Sequence, residues 1–300
     1  MTNTSPPIQT PQRLKADLLL LLVAVIWGSA FVAQRVAAQN MDVYLFNGLR
    51  FLLGALVLVV FQALQRRTVR LPDRRDIPAV ALAGILLFAG TTFQQLGLRH
   101  TTAANAGFIT GLYVVIIPIV LALFLRQTPR RVVWLAAVMA TVGLFLLSTG
   151  GSFALARGDG WELVGAFMWA LHVILIGLLV QRVDITPLAI IQYIVCGLLS
   201  LAASLAISSP LAGISPLAMW AIVYTGVFSV GLGYTLQAVA QKSAPAADAG
   251  IILSSEAVFA AAAGWLVLNE RLAGIQLLGC GLLLTGMILT QVLPGSRGSA

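Results

Sequence analysis

The stretch Ala-Ala-Asn-Ala-Gly at residues 103–107 recurs 143 residues later as Ala-Ala-Asp-Ala-Gly at residues 246–250. The same offset, without a gap, aligns further pairs: Gly54 with Gly197, Gly90 with Gly233, Gln94 with Gln237, Arg99 with Lys242 and Gly143 with Gly286. One constant offset over so many matches indicates that the chain contains an internal repeat. The alternative is that the repetition was retained for packing alone.

The composition is that of an integral membrane protein. The chain has 300 residues, of which 59% are hydrophobic and 9% charged, whereas soluble domains are about 45–50% apolar and about 25% charged. A net charge of +8 could indicate nucleic-acid binding in a soluble protein, but here the cations cluster between apolar runs, so no nucleic-acid partner is expected. Cys196 and Cys280 lie inside apolar runs and predict neither a disulfide nor a metal site.

Ten apolar runs reach the length of about 20 residues that a spanning helix needs. They cover residues 17–36, 43–64, 77–98, 102–125, 131–149, 161–181, 187–207, 216–240, 245–268 and 273–293. The sequence therefore predicts an all-α membrane protein with ten transmembrane helices. Because the first run is longer than a signal-peptide core of about 7–15 residues, we expect it to remain as an uncleaved helix.

The cations between the runs predict the topology. If the N-terminus is cytoplasmic, 13 Lys and Arg residues fall on the cytoplasmic side, four fall on the other side, and Arg50 lies inside a helix. The positive-inside rule then places both termini in the cytoplasm. The plasma membrane, the inner membrane of a bacterial cell, is the expected location.

Five helices in each repeat mean that the second repeat enters the membrane from the opposite side. The predicted organisation is an N-terminal tail (1–16), a first repeat (17–149), an outer connecting loop (150–160), a second repeat (161–293) and a C-terminal tail (294–300). Inverted repeats are typical of secondary transporters, whose binding site lies near the midplane between the repeats.

Four segments carry a resemblance to a known family. They are Trp27-Gly28-Ser29-Ala30-Phe31, Arg50-Phe51-Leu52-Leu53, the Ala-Ala-Asn-Ala-Gly stretch, and Ser255-Glu256 followed by Asn269-Glu270-Arg271-Leu272. In this order, on a duplicated five-helix plan, the chain resembles the EamA family of the drug/metabolite transporter superfamily over residues 17–293. The resemblance implies two EamA repeats around a central cavity and uncoupled or proton-coupled movement of small metabolites, including amino-acid export.

The chain departs from that family in two places. Glu256 is followed by Ala257, where the family often has proline. The first repeat ends in Arg126-Gln127-Thr128, where the family often has Gly-Glu-Arg. The second departure puts the terminal Glu–Arg contacts of the first repeat in doubt, whereas the fold is unaffected.

Glu256 stands out within the run 245–268 because it is a carboxyl group near the middle of a spanning helix. An ionised side chain there costs about 2.5–3.5 kcal/mol on insertion scales, so the group faces a wet cavity, is paired, or is protonated. One interpretation is a cavity residue that binds a substrate amine or a proton. The other is an interhelical hydrogen bond assisted by Ser254 and Ser255.

Other polar and aromatic residues inside the runs are also candidates for a cavity wall or, alternatively, for packing. Arg50 could pair with Glu256 or a substrate carboxylate, or extend to the outer surface. The amides could line a shared cavity or join helices, and the aromatics would favour flat or apolar substrates. The complete set of substrate-binding candidates is Trp27, Arg50, Gln94, Gln95, Tyr113, Trp169, His172, Tyr234, Gln237 and Glu256.

Asn105 and Asp248 are repeat mates at the starts of the fourth and ninth helices. Side chains of this type accept hydrogen bonds from the free N–H groups of a helix N-terminus and interact favourably with its dipole. Both are therefore predicted to be helix caps.

The functional prediction is a secondary transporter that exports small metabolites by alternating access, with amino acids, aromatic or apolar ones included, as the expected substrates. No P-loop, metal-ligand spacing or nucleophile motif is present, so no cofactor and no enzymatic activity are expected. Glu256 is the candidate for coupling transport to protons. A proton-coupled transporter of drugs or other metabolites is the alternative. A lipid-modifying enzyme and a channel are less favoured, and monomer and homodimer both stay open.

Overall fold

The fold is entirely helical across the residues that the computed structural model describes, namely 11–65, 70–101, 103–151, 156–207, 214–268 and 271–293. Within these ranges 10 helical segments are long and apolar enough to cross a membrane. This confirms the ten-helix prediction. The first helix is longer than the predicted 17–36, since it covers Pro11–Asn40.

The helices of the first repeat are α1 (Pro11–Asn40), α2 (Val43–Leu64), α3 (Ile77–Gly97), α4a (Ala103–Gly111), α4b (Tyr113–Leu123) and α5 (Arg131–Thr149). Those of the second repeat are α6 (Asp159–Leu179), α7 (Ile185–Ile207), α8a (Pro216–Tyr224), a π-helical segment (Thr225–Tyr234), α8b (Thr235–Gln241), α9a (Ala246–Leu253), α9b (Glu256–Leu268) and α10 (Gly274–Val292).

Two of the spanning helices are broken in the middle, where the sequence predicted continuous helices over 102–125 and 245–268. The fourth helix is interrupted at Leu112 and the ninth at Ser254 and Ser255. Leu112 and Ser255 are repeat mates at the offset of 143, so the two repeats break at equivalent positions. Non-helical backbone at membrane depth is tolerated only where it is buried in protein or lines a cavity.

The serines at the ninth-helix break compensate for the lost helical geometry. The Ser254 hydroxyl donates to the carbonyl of Ile251 (2.8 Å), and the Ser255 hydroxyl donates to the carbonyl of Ile252 (2.6 Å). These serines therefore bond their own backbone, which corrects the prediction that they assist Glu256.

The eighth helix was predicted as one α-helix over 216–240, and its middle ten residues are π-helical instead. In a π-helix each N–H bonds the carbonyl five residues earlier, and such segments are frequent at functional sites. The indole N–H of Trp27 on α1 donates to the carbonyl of Ser229 inside the segment (3.2 Å). The equivalent part of α3 is α-helical, so the repeats differ here.

The repeats are inverted. The start of α1 meets the end of α10, where the Arg13 guanidinium donates to the amide oxygen of Gln291 (3.4 Å). We call this the basic end. The start of α6 lies beside the residues that follow α3, where the Thr101 hydroxyl donates to Asp159 (2.8 Å), and we call this the opposite end. The two repeats thus begin at different ends of the bundle.

Asp248 joins the repeats at the basic end. One of its carboxylate oxygens accepts from Arg13 (2.8 Å) and from Arg130 (2.9 Å), two cations of the first repeat. The N-cap of α9a is Pro245, without a side-chain capping bond. The prediction that Asp248 caps the helix is wrong, because its carboxylate binds two guanidinium groups instead, although it does lie in the first turn of α9a, as the predicted dipole interaction requires. The side chain of its repeat mate Asn105 lies outside the described residues.

A close crossing of α5 and α10 reflects the two-fold relation between the repeats. A methyl group added at Gly143 would lie 2.6 Å from the carbonyl oxygen of Gly279, and one added at Gly286 would lie 3.0 Å from that of Ala136. The offset of 143 converts the first pair into the second. Small residues permit such backbone contact between membrane helices.

The crossing yields a stability prediction. We expect Gly279→Ala to lower the free energy of unfolding by about 1–3 kcal/mol, the usual cost of overpacking, because the new Cβ meets the backbone of Gly143 and Leu147. Gly281→Ala on the same helix is the control, since no atom lies within 4 Å of the added carbon. Unfolding in mixed detergent micelles measures both, and equal effects of the two variants would contradict the prediction.

Candidate functional site

A cavity with about 450 Å³ of empty space lies between the two repeats, next to both helix breaks. The volume that water-sized molecules can occupy is smaller, about 30 Å³, so in this conformation the cavity holds about one or two waters. It is lined by Trp27, Phe31, Gln34, Gln94, Thr110, Tyr113, Trp169, His172, Val173, Ser229, Tyr234, Gln237, Leu253 and Glu256.

Three aromatic rings form one wall of the cavity. The rings of Trp27 and Tyr234 are tilted with centroids 4.6 Å apart, and those of Trp169 and Tyr234 are stacked at 5.8 Å. Trp27 and Trp169 come from α1 and α6, the first helices of the two repeats. Each packs against an equivalent glycine, Gly233 and Gly90 respectively. One indole ring from each repeat thus packs against the ring of Tyr234.

Tyr113 and Glu256 meet across the cavity. The Tyr113 hydroxyl donates to a carboxyl oxygen of Glu256 at 3.2 Å. They are repeat mates at the offset of 143, and each is the first residue of the half-helix that follows its break. A residue that touches its own repeat mate must lie close to the pseudo-two-fold axis. Glu256 is 3% exposed, so this contact stands at the centre of the bundle.

Several polar atoms of the lining residues have no hydrogen-bond partner among the described residues. They are Nε1 of Trp169, Nδ1 of His172 and Oε1 of Gln237. Buried polar groups are rarely left unpaired, because desolvation without a partner costs about 1–3 kcal/mol. These atoms are therefore available to a polar ligand in the cavity.

His172 is held in place by a neighbour outside the cavity. Its Nε2 lies 2.9 Å from the amide oxygen of Gln192 on α7, so this nitrogen carries the proton in that contact. Nδ1 then has a lone pair that accepts a hydrogen bond. His172 combines the two predicted roles, since it makes a packing hydrogen bond and lines the cavity.

A hydrogen-bonded chain leads from the cavity toward the opposite end. The Gln94 amide donates to the Thr110 hydroxyl (3.2 Å), which donates to Oε2 of Glu162 (3.2 Å). Glu162 is fully buried, and its Oε1 has no partner among the described residues. Glu162 is not among the residues predicted from the sequence, because a carboxylate at the edge of an apolar run ordinarily lies at the membrane interface.

Arg50 lies behind the cavity wall. Its Nη1 donates to Oε1 of the lining residue Gln34 (3.0 Å), and its guanidinium carbon lies 4.8 Å from the ring centroid of Phe46 and 5.1 Å from that of Phe51. At 2% exposure it does not extend to the surface, and it makes no ion pair with Glu256. Both of those predicted alternatives are wrong, because the guanidinium group binds Gln34 and packs on two phenyl rings in the interior instead.

Gln95 also lies outside the lining. Its amide donates to the backbone carbonyl of Gln34 at 2.7 Å, so it joins α3 to α1. Eight of the ten candidate side chains do border the cavity, namely Trp27, Gln94, Tyr113, Trp169, His172, Tyr234, Gln237 and Glu256.

Some lining residues could have been found from helical periodicity. Phe31 and Gln34 follow Trp27 by four and seven residues, which places all three on one face of α1. The offset of 143 likewise relates Tyr113 to Glu256. Ser229 carried no such pattern, since a π-helix shifts the face that each residue presents.

A second crevice of about 300 Å³ opens toward the basic end, between α4b, α6, α8b and α9a. The Gln241 side chain borders it and accepts from the amide of Gln237 (3.0 Å), while its own amide donates to the carbonyl of Val173 (2.8 Å). Gln237 and Val173 line the central cavity. Gln241 therefore stands between the two spaces.

The side chains of the site can hydrogen-bond a polar ligand and pack against an apolar one. No group of three or more His, Cys, Asp or Glu residues positioned to hold a metal ion occurs in the described part of the chain. The cavity offers hydrogen-bond donors and acceptors, one carboxyl group and an aromatic wall.

Comparisons with known proteins agree with this architecture. The model of the EamA-like transporter family matches residues 14–149 and 156–292. An uncharacterized transporter of Archaeoglobus fulgidus is 32% identical over 94% of this chain and 87% of that protein. The threonine/homoserine exporter RhtA of Salmonella typhimurium is 26% identical over 80% of this chain and 79% of that exporter. A crystal structure of another protein matches with a TM-score of 0.78 at 18% identity, over 93% and 97% of the two chains, which shows the fold alone.

The contact between the repeat mates can be measured by a double-mutant cycle. We expect Tyr113→Phe and Glu256→Leu to show a coupling energy of about 1 kcal/mol, because each single change leaves a buried partner unpaired. Unfolding in mixed detergent micelles gives the four free energies. Tyr193→Phe, whose hydroxyl contacts Thr235 at 3.1 Å, is the control partner and should couple to Glu256→Leu by less than about 0.5 kcal/mol. Coupling no larger than the control would show that the hydrogen bond contributes nothing.

Proposed function

This chain belongs to the EamA-like transporter family. From that premise we propose that it exports small metabolites by alternating access, with amino acids as the expected substrates. The observation that supports this proposal best is the cavity at the two equivalent helix breaks. Transporter sites of this kind are formed by discontinuous helices near the midplane, at the interface of inverted repeats. The exporter RhtA among the relatives supports the substrate class.

The cavity wall suits an amino acid that has an apolar or aromatic side chain. Trp27, Trp169 and Tyr234 provide a flat surface for that side chain. The carboxyl group of Glu256 provides a partner for the α-amino group. The acceptor Oε1 of Gln237 can take a further N–H.

Arg50 provides the partner for the α-carboxylate. Its Nε and Nη2 have no partner among the described residues, and its Nη1 is held only by the neutral amide of Gln34. A planar guanidinium binds a carboxylate in a bidentate manner. A substrate carboxylate that displaces the Gln34 amide would give this buried cation its counter-charge.

Alternating access would use the gaps at the two ends of the bundle. Gln241 separates the central cavity from the crevice at the basic end, and rotation of its side chain would join the two spaces. The Thr101–Asp159 contact lies at the other end. Because the repeats are inverted, exchanging their conformations would open one end and close the other.

We place the protein in the plasma membrane with the basic end in the cytoplasm, which follows from the distribution of cations between the helices. The predicted two-repeat organisation, 17–149 and 161–293, supports the same plan. We propose no catalytic activity, since its relatives are transporters. Glu256 is proposed to carry the coupled proton, because substrate amine and proton would compete for one carboxyl group.

Transport by purified protein in liposomes tests the substrate class. We expect export of apolar and aromatic amino acids. The corresponding decarboxylated amines should be transported at a rate lower by about tenfold or more, because they lack the carboxylate that binds Arg50, and hydrogen bonds to charged groups contribute about 1.5–3 kcal/mol. Arg50→Met should abolish the preference for the carboxylate while the protein stays at least as stable, since it removes an uncompensated buried charge. Arg50→Lys is the charge-retaining control. Equal transport of acids and amines by the unmodified protein would exclude this role.

Coupling is tested separately with an imposed pH gradient. We expect the gradient to accelerate amino-acid transport by the unmodified protein and to leave transport by Glu256→Gln unaffected, because glutamine cannot exchange a proton. Asp184→Asn, which changes an exposed carboxylate, serves as the control. An unchanged response to the gradient in Glu256→Gln would show that this residue is not the proton carrier.

A further inference from the structure

We propose that Glu162 is a second proton-binding carboxyl group, which exchanges its proton with the central cavity through the Thr110 hydroxyl. Glu162 lies outside the cavity wall on α6, one hydrogen bond behind Thr110. No part of the transport proposal requires it. The role in coupling rests on the proposed function, but the protonation of Glu162 does not.

The surroundings of Glu162 favour a neutral carboxyl group. Its side chain is fully buried, it has no ion-pair partner in the described part of the chain, and Oε1 accepts or donates no hydrogen bond there. A carboxylate in such a place is strongly disfavoured relative to the acid. A Cβ at residue 97 would lie 2.5 Å from Oε1, so Gly97 provides the room that this carboxyl group occupies.

The other titratable groups around α6 do not neutralise Glu162. Asp159, one turn earlier, accepts from Thr101 and from the Ala156 amide. Among the helices that pack against α6, no titratable residue occurs in α3 or α8b, and the fourth helix contains only Tyr113. Helix α9a contains Asp248, which is paired with two arginines at the basic end. Beyond α3, His100 is exposed and Arg99 donates to the carbonyls of Ala38 and Met41.

The buried interior holds two carboxyl groups that can each bind a proton. Apart from the aspartates near the two ends, the buried charged side chains among the described residues are Arg50, Glu162 and Glu256. Arginine keeps its charge in proteins. Glu162 and Glu256 are therefore the members of this set that can take up or release a proton, which makes Glu162 the proton site available besides Glu256.

The break in the fourth helix connects the two carboxyl groups. Thr110 and Tyr113 stand on either side of Leu112, three residues apart, and donate to Glu162 and Glu256 respectively. Thr110 also accepts from Gln94, so its hydroxyl hydrogen is directed at Glu162. A movement of this break during transport would change both hydrogen bonds together.

Infrared spectroscopy of the full-length protein in lipid vesicles tests the proposal without any substrate. We expect the carbonyl band of a protonated carboxyl group at neutral pH, and we expect it to decrease at alkaline pH. Glu162→Gln should remove one component of this band and Glu256→Gln another, whereas the exposed Asp184→Asn should leave the band unchanged. Thr110→Val should shift the Glu162 component and slow its exchange in deuterated water.

The outcomes separate this proposal from the transport proposal. A band that is identical in Glu162→Gln and the unmodified protein would overturn it, as would a Glu162 component that neither titrates nor exchanges. If Glu162→Gln does not fold, Thr110→Val alone decides, because an unshifted band would exclude the connection. Loss of the Glu162 component in a protein that moves no amino acid would support the proton site and reject the substrate class.

Discussion

The rest of the structure depends on a constraint that the bilayer imposes. Backbone that leaves a helix at membrane depth must be shielded from lipid, because its polar groups find no water there. The two breaks, at Leu112 and at Ser254 and Ser255, meet this constraint by facing each other across the cavity. The Tyr113–Glu256 hydrogen bond joins the half-helices that follow the breaks. A polar site at the centre of the bundle is thus a direct consequence of breaking both helices at equivalent positions.

Duplication explains why the site is symmetric in plan and different in chemistry. The offset of 143 relates the two breaks to each other. It also relates the contact between Gly143 and Gly279 to the one between Gly286 and Ala136. Divergence has placed a phenol at one break and a carboxyl group at the other, and a π-helix in α8 opposite the regular α3. Equivalent packing in the two repeats keeps the scaffold two-fold, while Tyr113 and Glu256 on the axis provide a donor and an acceptor for each other.

The charged residues fall into two groups with different functions in the molecule. Those near the two ends of the bundle include the contacts that link the first repeat to the second, such as Asp248 with its two arginines. Those in the interior, Arg50, Glu162 and Glu256, have no ion-pair partner among the described residues and are held by neutral hydrogen-bonding groups instead. Unpaired ionisable groups at membrane depth are expensive, so their presence is evidence of function more than of stability.

The sequence by itself determined the ten helices, the repeat and its inversion, and most of the cavity wall, because hydrophobic runs of bilayer length and a constant offset are local or one-dimensional patterns. It did not determine that Asp248 binds two arginines, that Arg50 turns to Gln34, or that Glu162 joins Thr110. Those partners lie 16 to 235 residues apart in the chain. Only the packing of helices selects one partner for a long polar side chain among several at similar depth, because a hydrogen bond depends on distances of a few tenths of an ångström that no spacing in the sequence encodes.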